Sequence, residues 1–252
     1  MHLASYASSR APYRVTAPSQ PRWKYVCDLC ICAVALPFLA LATLYVALLM
    51  RLLSPGPILF TQERIGYMGR RFRVYKFRTM HVSASFDDHQ KHIDGLVNSR
   101  APMQKLDAVD PRLIPGGRFL RATGIDELPQ IVNVLRREMS VVGPRPCLPY
   151  EARRYSAPQF RRFHVLPGLT GLWQVSGKND TTFGAMAALD VAYVKRRSFW
   201  LDLTIIARTP FVLVQQLLRA MKTPKAARVS RPSLPESGAA SVETADARRT
   251  HA

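Results

Sequence analysis

The apolar positions divide the chain into unlike parts. Residues 29–50 form an uncharged stretch, and a helix of that length, rising 1.5 Å per residue, runs roughly 33 Å, about the hydrocarbon thickness of a bilayer. The stretch exceeds the ~7–15-residue apolar region of a signal peptide, and it ends in Arg51-Leu52-Leu53-Ser54-Pro55 without a small-residue cleavage pattern. Pro37 lies inside it and removes one backbone hydrogen bond, which predicts a kink. Cations flank both ends: Arg22 and Lys24 before it, then Arg51, Arg64, Arg70, Arg71 and Arg73 after it. Positive flanks mark the cytoplasmic side, so a straight span satisfies only one of them. The pattern leaves two arrangements open, a kinked spanning helix and a re-entrant helix that bends near Pro37 and leaves on the side it entered.

Downstream the period changes. Residues 58–62 and 72–78 alternate around a turn at Gly66 to Gly69, which predicts a β-hairpin with Lys76 and Arg78 on one face. Residues 86–98 read as a charged helix, followed by a proline-marked loop through Asp110-Pro111-Arg112. Leu128, Ile131, Val132, Leu135 and Met139 follow helical spacing, so a helix is predicted from about Asp126, with Arg136 and Arg137 turned away. Further helices are predicted over about 149–163 and 181–197. The apolar run from Trp200 to Met221 is interrupted by Pro210 and carries Asp202 and Arg208, which suits a helix lying along a membrane surface better than one crossing it. Residues 1–21 and 222–252 are rich in Ser, Pro, Ala or Arg without periodicity and read as a flexible arm and a disordered tail.

Composition then narrows the partners. The net charge of +19 favours an anionic partner, whether nucleic acid, acidic lipid or phosphorylated substrate. Of the four cysteines, Cys27, Cys30 and Cys32 crowd into the apolar helix and Cys147 stands alone. That is no disulfide framework, and neither Cys27/Cys30 nor His89/His92 supplies the four converging ligands of a structural metal site. The apolar helix and the absence of a nucleic-acid-binding motif argue against nucleic acid.

Two adjacent acids, Asp126 and Glu127, open the predicted helix. Acids are favoured there as caps and by the positive end of the helix dipole, so a structural role stands beside a chemical one. Chemistry requires phosphate-binding groups nearby, and Lys76, Arg78, Arg118, Arg121 and Arg145 are the candidates. Prolines on both sides of Arg145 restrict its backbone, which suits a pre-positioned guanidinium gripping phosphate oxygens. Two carboxylates among several cations fit a site for Mg²⁺ and a diphosphate, with one carboxylate left to attack phosphorus.

Three blocks carry a resemblance: Tyr75-Lys76-Phe77-Arg78-Thr79-Met80; Asp126-Glu127-Leu128-Pro129-Gln130 leading through Met139-Ser140 to Gly143-Pro144-Arg145-Pro146; and Pro167-Gly168-Leu169-Thr170-Gly171-Leu172-Trp173-Gln174-Val175-Ser176-Gly177. Over about residues 22–215 the chain resembles the bacterial sugar transferase family, the monotopic polyprenyl-phosphate phosphoglycosyl transferases. The resemblance implies an α+β fold, mostly helical with a small β-hairpin, an N-terminal re-entrant membrane helix kinked near Pro37, and interfacial amphipathic helices. It implies a membrane helix over 22–53 and a catalytic domain over 54–221, at the cytoplasmic face of the bacterial inner membrane. The implied reaction moves a sugar 1-phosphate from a nucleotide sugar, UDP-linked in the usual case, to undecaprenyl phosphate.

In that family the aspartate matching Asp126 is the nucleophile, and the glutamate matching Glu127 helps hold Mg²⁺ beside it. Lys76, Arg78, Arg121 and Arg145 are the implied phosphate contacts, and Gln174 and Lys178 are polar candidates for the sugar pocket. Membrane lipids and a second copy of the chain are further possible partners. A membrane-tethered scaffold that keeps the fold without turnover is the alternative. Two departures stand out: Gly124 replaces a common serine before the acidic pair, and Arg136-Arg137-Glu138 replaces a turn whose middle residue is usually glycine.

Overall fold

The computed structural model describes residues 20–81, 95, 101–103, 110 and 112–222. Nearly all of the predicted arm, all of the predicted 86–98 helix but residue 95, and all of the predicted tail but its first residue lie outside them. Among the described residues the fold is mostly helical with two small sheets. Helix α1 spans Arg22–Leu53, strands β1 and β2 span Leu59–Ile65 and Arg71–Phe77, and α2 spans Gly117–Thr123. A 3-10 turn over Ile125–Gln130 leads into α3 at Ile131–Leu135, then β3 at Ser140–Val142 and α4 at Pro149–Ala152. A second 3-10 segment covers Ala157–His164, and β4, α5, α6 and α7 follow at Gly168–Thr170, Leu172–Val175, Phe183–Arg196 and Phe199–Lys222.

Helix α1 continues through Pro37. The missing N–H leaves the Ala33 carbonyl without its usual partner one turn back. One stripe of α1 faces the domain along its length: Lys24, Asp28, Cys32, Val46 and Met50 are buried, with Ala35, Leu39 and Ala42 packed between them. The spacing of three and four residues is that of one helical face. The opposite face exposes Val34, Phe38, Leu41, Leu44, Leu48 and Leu52. The buried polar residues are partnered. Lys24 Nζ donates to Asp202 Oδ2 at 2.5 Å and to the Tyr193 hydroxyl at 3.1 Å, and Asp28 Oδ1 accepts from Val141 N at 2.9 Å and from Ser140 Oγ at 3.0 Å. By length and composition α1 and α7 are both able to cross a membrane. Pro210 does not break α7, which is one continuous helix.

The hairpin forms as predicted, with Leu59 opposite Phe77 and Ile65 opposite Arg71. The parallel pair β3/β4 is an addition that the sequence pattern did not show. Its strands approach so closely that an added Cβ on Gly168 would lie 2.1 Å from Gly143 N, and one on Gly171 would lie 2.1 Å from Gly143 O. These glycines let Gly143-Pro144-Arg145-Pro146 and Pro167-Gly168-Leu169-Thr170-Gly171 dock backbone against backbone, through Gly143 N to Thr170 O and Gly168 N to Pro144 O, both 2.9 Å.

The helix predicted from Asp126 is shorter and turned differently. Pro129 sits in a 3-10 segment, the α-helical part ends at Leu135, and the buried positions are Ile131, Asn133 and Val134, while Leu135 is exposed. The chain leaves this helix through Arg137 at φ +60°. That left-handed backbone explains why glycine suits the position, and the Arg137 guanidinium stacks 4.3 Å from the Tyr25 ring centroid in partial compensation. The 149–163 helix is two short pieces separated at residues 153–156, whereas the 181–197 helix is present as α6.

Candidate active site

Asp126 and Glu127 occupy the first turn of the Ile125–Gln130 segment. Gly124, just before them, takes φ +74°, closing α2 and opening the next turn in one residue. An added Cβ there would also come within 3.3 Å of Leu213 Cδ2 on α7. Backbone geometry, and not a lost capping hydroxyl, accounts for glycine at this position. Glu127 N closes the turn on Gly124 O at 3.0 Å. Asp126 is buried, whereas the Glu127 side chain is 37% exposed.

Strand β2 lies against this turn and carries the first cation. Lys76 Nζ donates to Glu127 Oε1 at 2.8 Å. The register between strand and turn is fixed by Asn133, which is fully buried. Its Oδ1 accepts from Tyr75 N at 3.1 Å, and its Nδ2 donates to Arg73 O at 2.7 Å and to Glu138 Oε2 at 2.6 Å. Asn133 thereby clamps the backbone on either side of Val74, two residues from Lys76. A single asparagine inside the run Ile131-Val132-Asn133-Val134 was the available signal for it.

Arg145 approaches from the Gly143–Pro146 loop and is braced at three points. Its Nη1 donates to Glu151 Oε2 at 3.0 Å, its carbonyl accepts from Arg162 Nη2 at 2.7 Å, and the next carbonyl, of Pro146, accepts from Arg64 Nη1 at 3.2 Å. Burial works against the Arg145 charge, but Glu151 prevails and raises its pKa. Burial would likewise raise the Glu151 carboxyl, yet Arg145 and Arg64 hold it below its ordinary value. Arg64 is pushed down to about 10, first by burial and then by the neighbouring Arg145. The charge of Glu127 acts on both guanidiniums in the opposite sense. Lys76, Arg64, Arg145 and Glu127 therefore share one electrostatic neighbourhood, in which two crowded guanidiniums favour an anion.

Other predicted residues have different surroundings. Arg78 follows β2 and is buried at the junction of α1 and β1. Its Nε donates to Pro57 O at 2.8 Å, its Nη1 to Ser54 Oγ at 3.2 Å and its Nη2 to Ser54 O at 2.5 Å. Arg121 lies on α2, where its charge adds to the stronger effect of Arg112 in lowering the Asp110 carboxyl. Arg118 donates from Nη2 to Ala220 O, tying α2 to the end of α7. Arg64 and Glu151 were not singled out as site residues from the sequence. Nothing local distinguishes a buried acid that sits six residues beyond the arginine it orients. No group of three or more metal-binding side chains occurs among the described residues, and their cysteines are free thiols.

Comparison with known proteins adds a second line of observation. A family model described as Bacterial sugar transferase matches residues 19–216. The chain is 46% identical over 157 residues to the Galactosyl transferase CpsE of Streptococcus agalactiae, a match covering 61% of this chain and 34% of CpsE. It is 37% identical to the Exopolysaccharide production protein ExoY of Rhizobium meliloti, covering 72% of this chain and 81% of ExoY. It is 39% identical to the UDP-glucose:undecaprenyl-phosphate glucose-1-phosphate transferase of Caulobacter vibrioides, covering 74% of this chain and 67% of that protein. The chain thus spans about a third of CpsE and most of ExoY.

Proposed function

The chain belongs to the bacterial sugar transferase family, and from that premise we propose that it transfers a sugar 1-phosphate from a UDP-sugar to undecaprenyl phosphate, releasing UMP and initiating exopolysaccharide or a related glycan. The observation that carries the reading is the convergence of Lys76 and Glu127 at 2.8 Å, next to Asp126 and within the electrostatic reach of Arg64 and Arg145. In the first step a carboxylate oxygen of Asp126 attacks the phosphorus that bears the sugar. A P–O bond to Asp126 forms as the P–O bond to UMP breaks, and UMP leaves with the bonding electrons. In the second step an oxygen of undecaprenyl phosphate attacks the same phosphorus, forming the lipid diphosphate sugar and freeing the aspartate. Lys76, Arg64 and Arg145 supply fixed positive charge where the diphosphate oxygens sit, in positions set before substrate arrives.

The carboxylates also fit Mg²⁺, which takes one or two protein carboxylates and completes its shell from water and substrate phosphates. Glu127, with Asp126 beside it, would hold the ion, which when bound neutralises diphosphate charge. We place the site on the cytoplasmic face of the inner membrane, with α1 re-entrant. Support for re-entry comes from the stripe Lys24 to Met50, which keeps both ends of α1 on the same domain.

The test is UMP release by the full chain in lipid nanodiscs, with undecaprenyl phosphate, Mg²⁺ and a panel of UDP-sugars. The reading expects release from at least one donor, dependent on Mg²⁺ and abolished by Asp126→Asn. No release from any donor, with lipid binding intact, favours the tethered scaffold.

A further inference from the structure

Helix α7 turns a mixed face toward the domain, with Leu201, Ile205 and Ile206 packed in the core beside the buried Asp202, and large apolar side chains away from it. Trp200, Leu203, Phe211, Val214, Leu218 and Met221 are exposed, whereas Asp202 and Ile205 are buried and Thr209 shares a 2.8 Å hydrogen bond with Thr170. One and two turns further along the same face stand Val212 and Gln216. Here the inward face opens on a pocket of about 90 Å³ between α7 and residues 174–180, lined by Gln174, Lys178, Gln215 and Gln216, with Asp180 and Arg219 at one side.

The pocket carries one more cation than anions, Lys178 and Arg219 against Asp180. Its charged residues are engaged with one another or with amides: Arg219 Nη1 meets Asp180 Oδ2 at 3.0 Å, and Lys178 Nζ meets Gln216 Oε1 at 3.3 Å. Gln174 and Gln215 remain beside Gln216, and an amide both donates and accepts, as a sugar hydroxyl does. Gln174 Oε1 is buried against Gly171 without a hydrogen-bond donor among the described residues, an acceptor that gains a partner when the side chain turns toward the pocket.

Two contacts connect the pocket to the reacting groups. Leu213, next to Val212, rests on Gly124 two residues before Asp126, and Gln174 Oε1 lies over Gly171, where an added Cβ would strike the Gly143 carbonyl of the Arg145 loop.

We propose that this pocket receives the sugar ring of the donor and that Gln174, Gln215 and Gln216 select the sugar through its hydroxyls. The proposal rests on the transferase reading and adds the residues that set donor choice. Discrimination by hydroxyl recognition is steep, because a wrong epimer leaves a polar group unpaired. The test is equilibrium binding of UDP, UDP-glucose, UDP-galactose and UDP-N-acetylglucosamine to the full chain in nanodiscs, for wild type, Gln215→Leu and Gln216→Leu, with UMP release measured in parallel.

Wild type is expected to bind one UDP-sugar more tightly than UDP. At least one substitution is expected to shrink its preference among the sugars about tenfold or more, with UDP affinity held within about twofold as the check that the fold survives. Unchanged preferences in both variants, or UDP affinity falling in step with that for the UDP-sugars, overturn the pocket assignment. If UMP release by wild type proceeds in that case, the transferase reading stands without the pocket. If wild type neither binds a UDP-sugar more tightly than UDP nor releases UMP, both fall together.

Discussion

Lys76 and Arg78 belong to one motif, and the structure gives them different surroundings. Lys76→Met removes an ion pair whose side chains are 22% and 37% exposed. Solvent screens such a pair, so it contributes at most about 1 kcal/mol to stability, a shift of no more than about 4 °C in Tm for a domain of this size. Under the proposed function the same substitution takes a fixed positive charge away from the diphosphate and is expected to cost about 10²–10³ in kcat/KM. Arg78→Met removes three hydrogen bonds from a buried guanidinium to Pro57 O, Ser54 Oγ and Ser54 O. At about 1.5 kcal/mol for each charged donor, the loss is roughly 4.5 kcal/mol, and Tm falls by roughly 9–18 °C. Activity per folded molecule is expected to fall far less than for Lys76→Met. Thermal unfolding in nanodiscs and UMP release, corrected for the folded fraction, separate the two. The reasoning is refuted if Lys76→Met destabilises as much as Arg78→Met, or if it retains wild-type turnover.

Three further perturbations follow from the same contacts. Gly168→Ala places a methyl group 2.1 Å from Gly143 N, so the β3/β4 pair must separate. Expression of folded protein and turnover should both collapse, whereas Gly184→Ala, where an added Cβ meets nothing within 4 Å, should be tolerated in the same assays. Glu151→Gln leaves Arg145 without its carboxylate and should cost about 3 kcal/mol at pH 7. The Glu151 pKa is depressed in the folded state, so its contribution is present above the ordinary carboxylate pKa and is lost as pH falls through the folded value; unfolding against pH should show wild type losing its advantage over the variant below about pH 4.5. Asp202→Asn weakens the buried pair with Lys24 at 2.5 Å and should raise protease access to residues 20–30 before the rest of the domain opens.

The long apolar helix, the hairpin, α6 and the acidic pair were legible because each rests on a local period or an unusual short motif. What escaped depends on contacts between distant segments. No periodicity reveals that Gly143, Gly168 and Gly171 exist to let two loops touch, or that the parallel β3/β4 pair results. Asn133 shifted the expected apolar stripe because its side chain serves the β2 backbone instead of solvent. Alternation put Lys76 and Arg78 on one face, but the strand ends at Phe77, and the next residue turns back to the α1–β1 junction. Arg64 was visible only as one basic residue among many. Its relation to Arg145 depends on the bridge between Ile65 and Cys147, which joins segments far apart in the chain.

Incubating the full chain with a UDP-sugar and Mg²⁺ in the absence of undecaprenyl phosphate, then mapping modified peptides by mass spectrometry, tests the central claim most directly. The account predicts a sugar phosphate on the peptide at Asp126, absent from Asp126→Asn and discharged when undecaprenyl phosphate is added. Full UMP release by Asp126→Asn, with no adduct on the wild-type peptide, would contradict it.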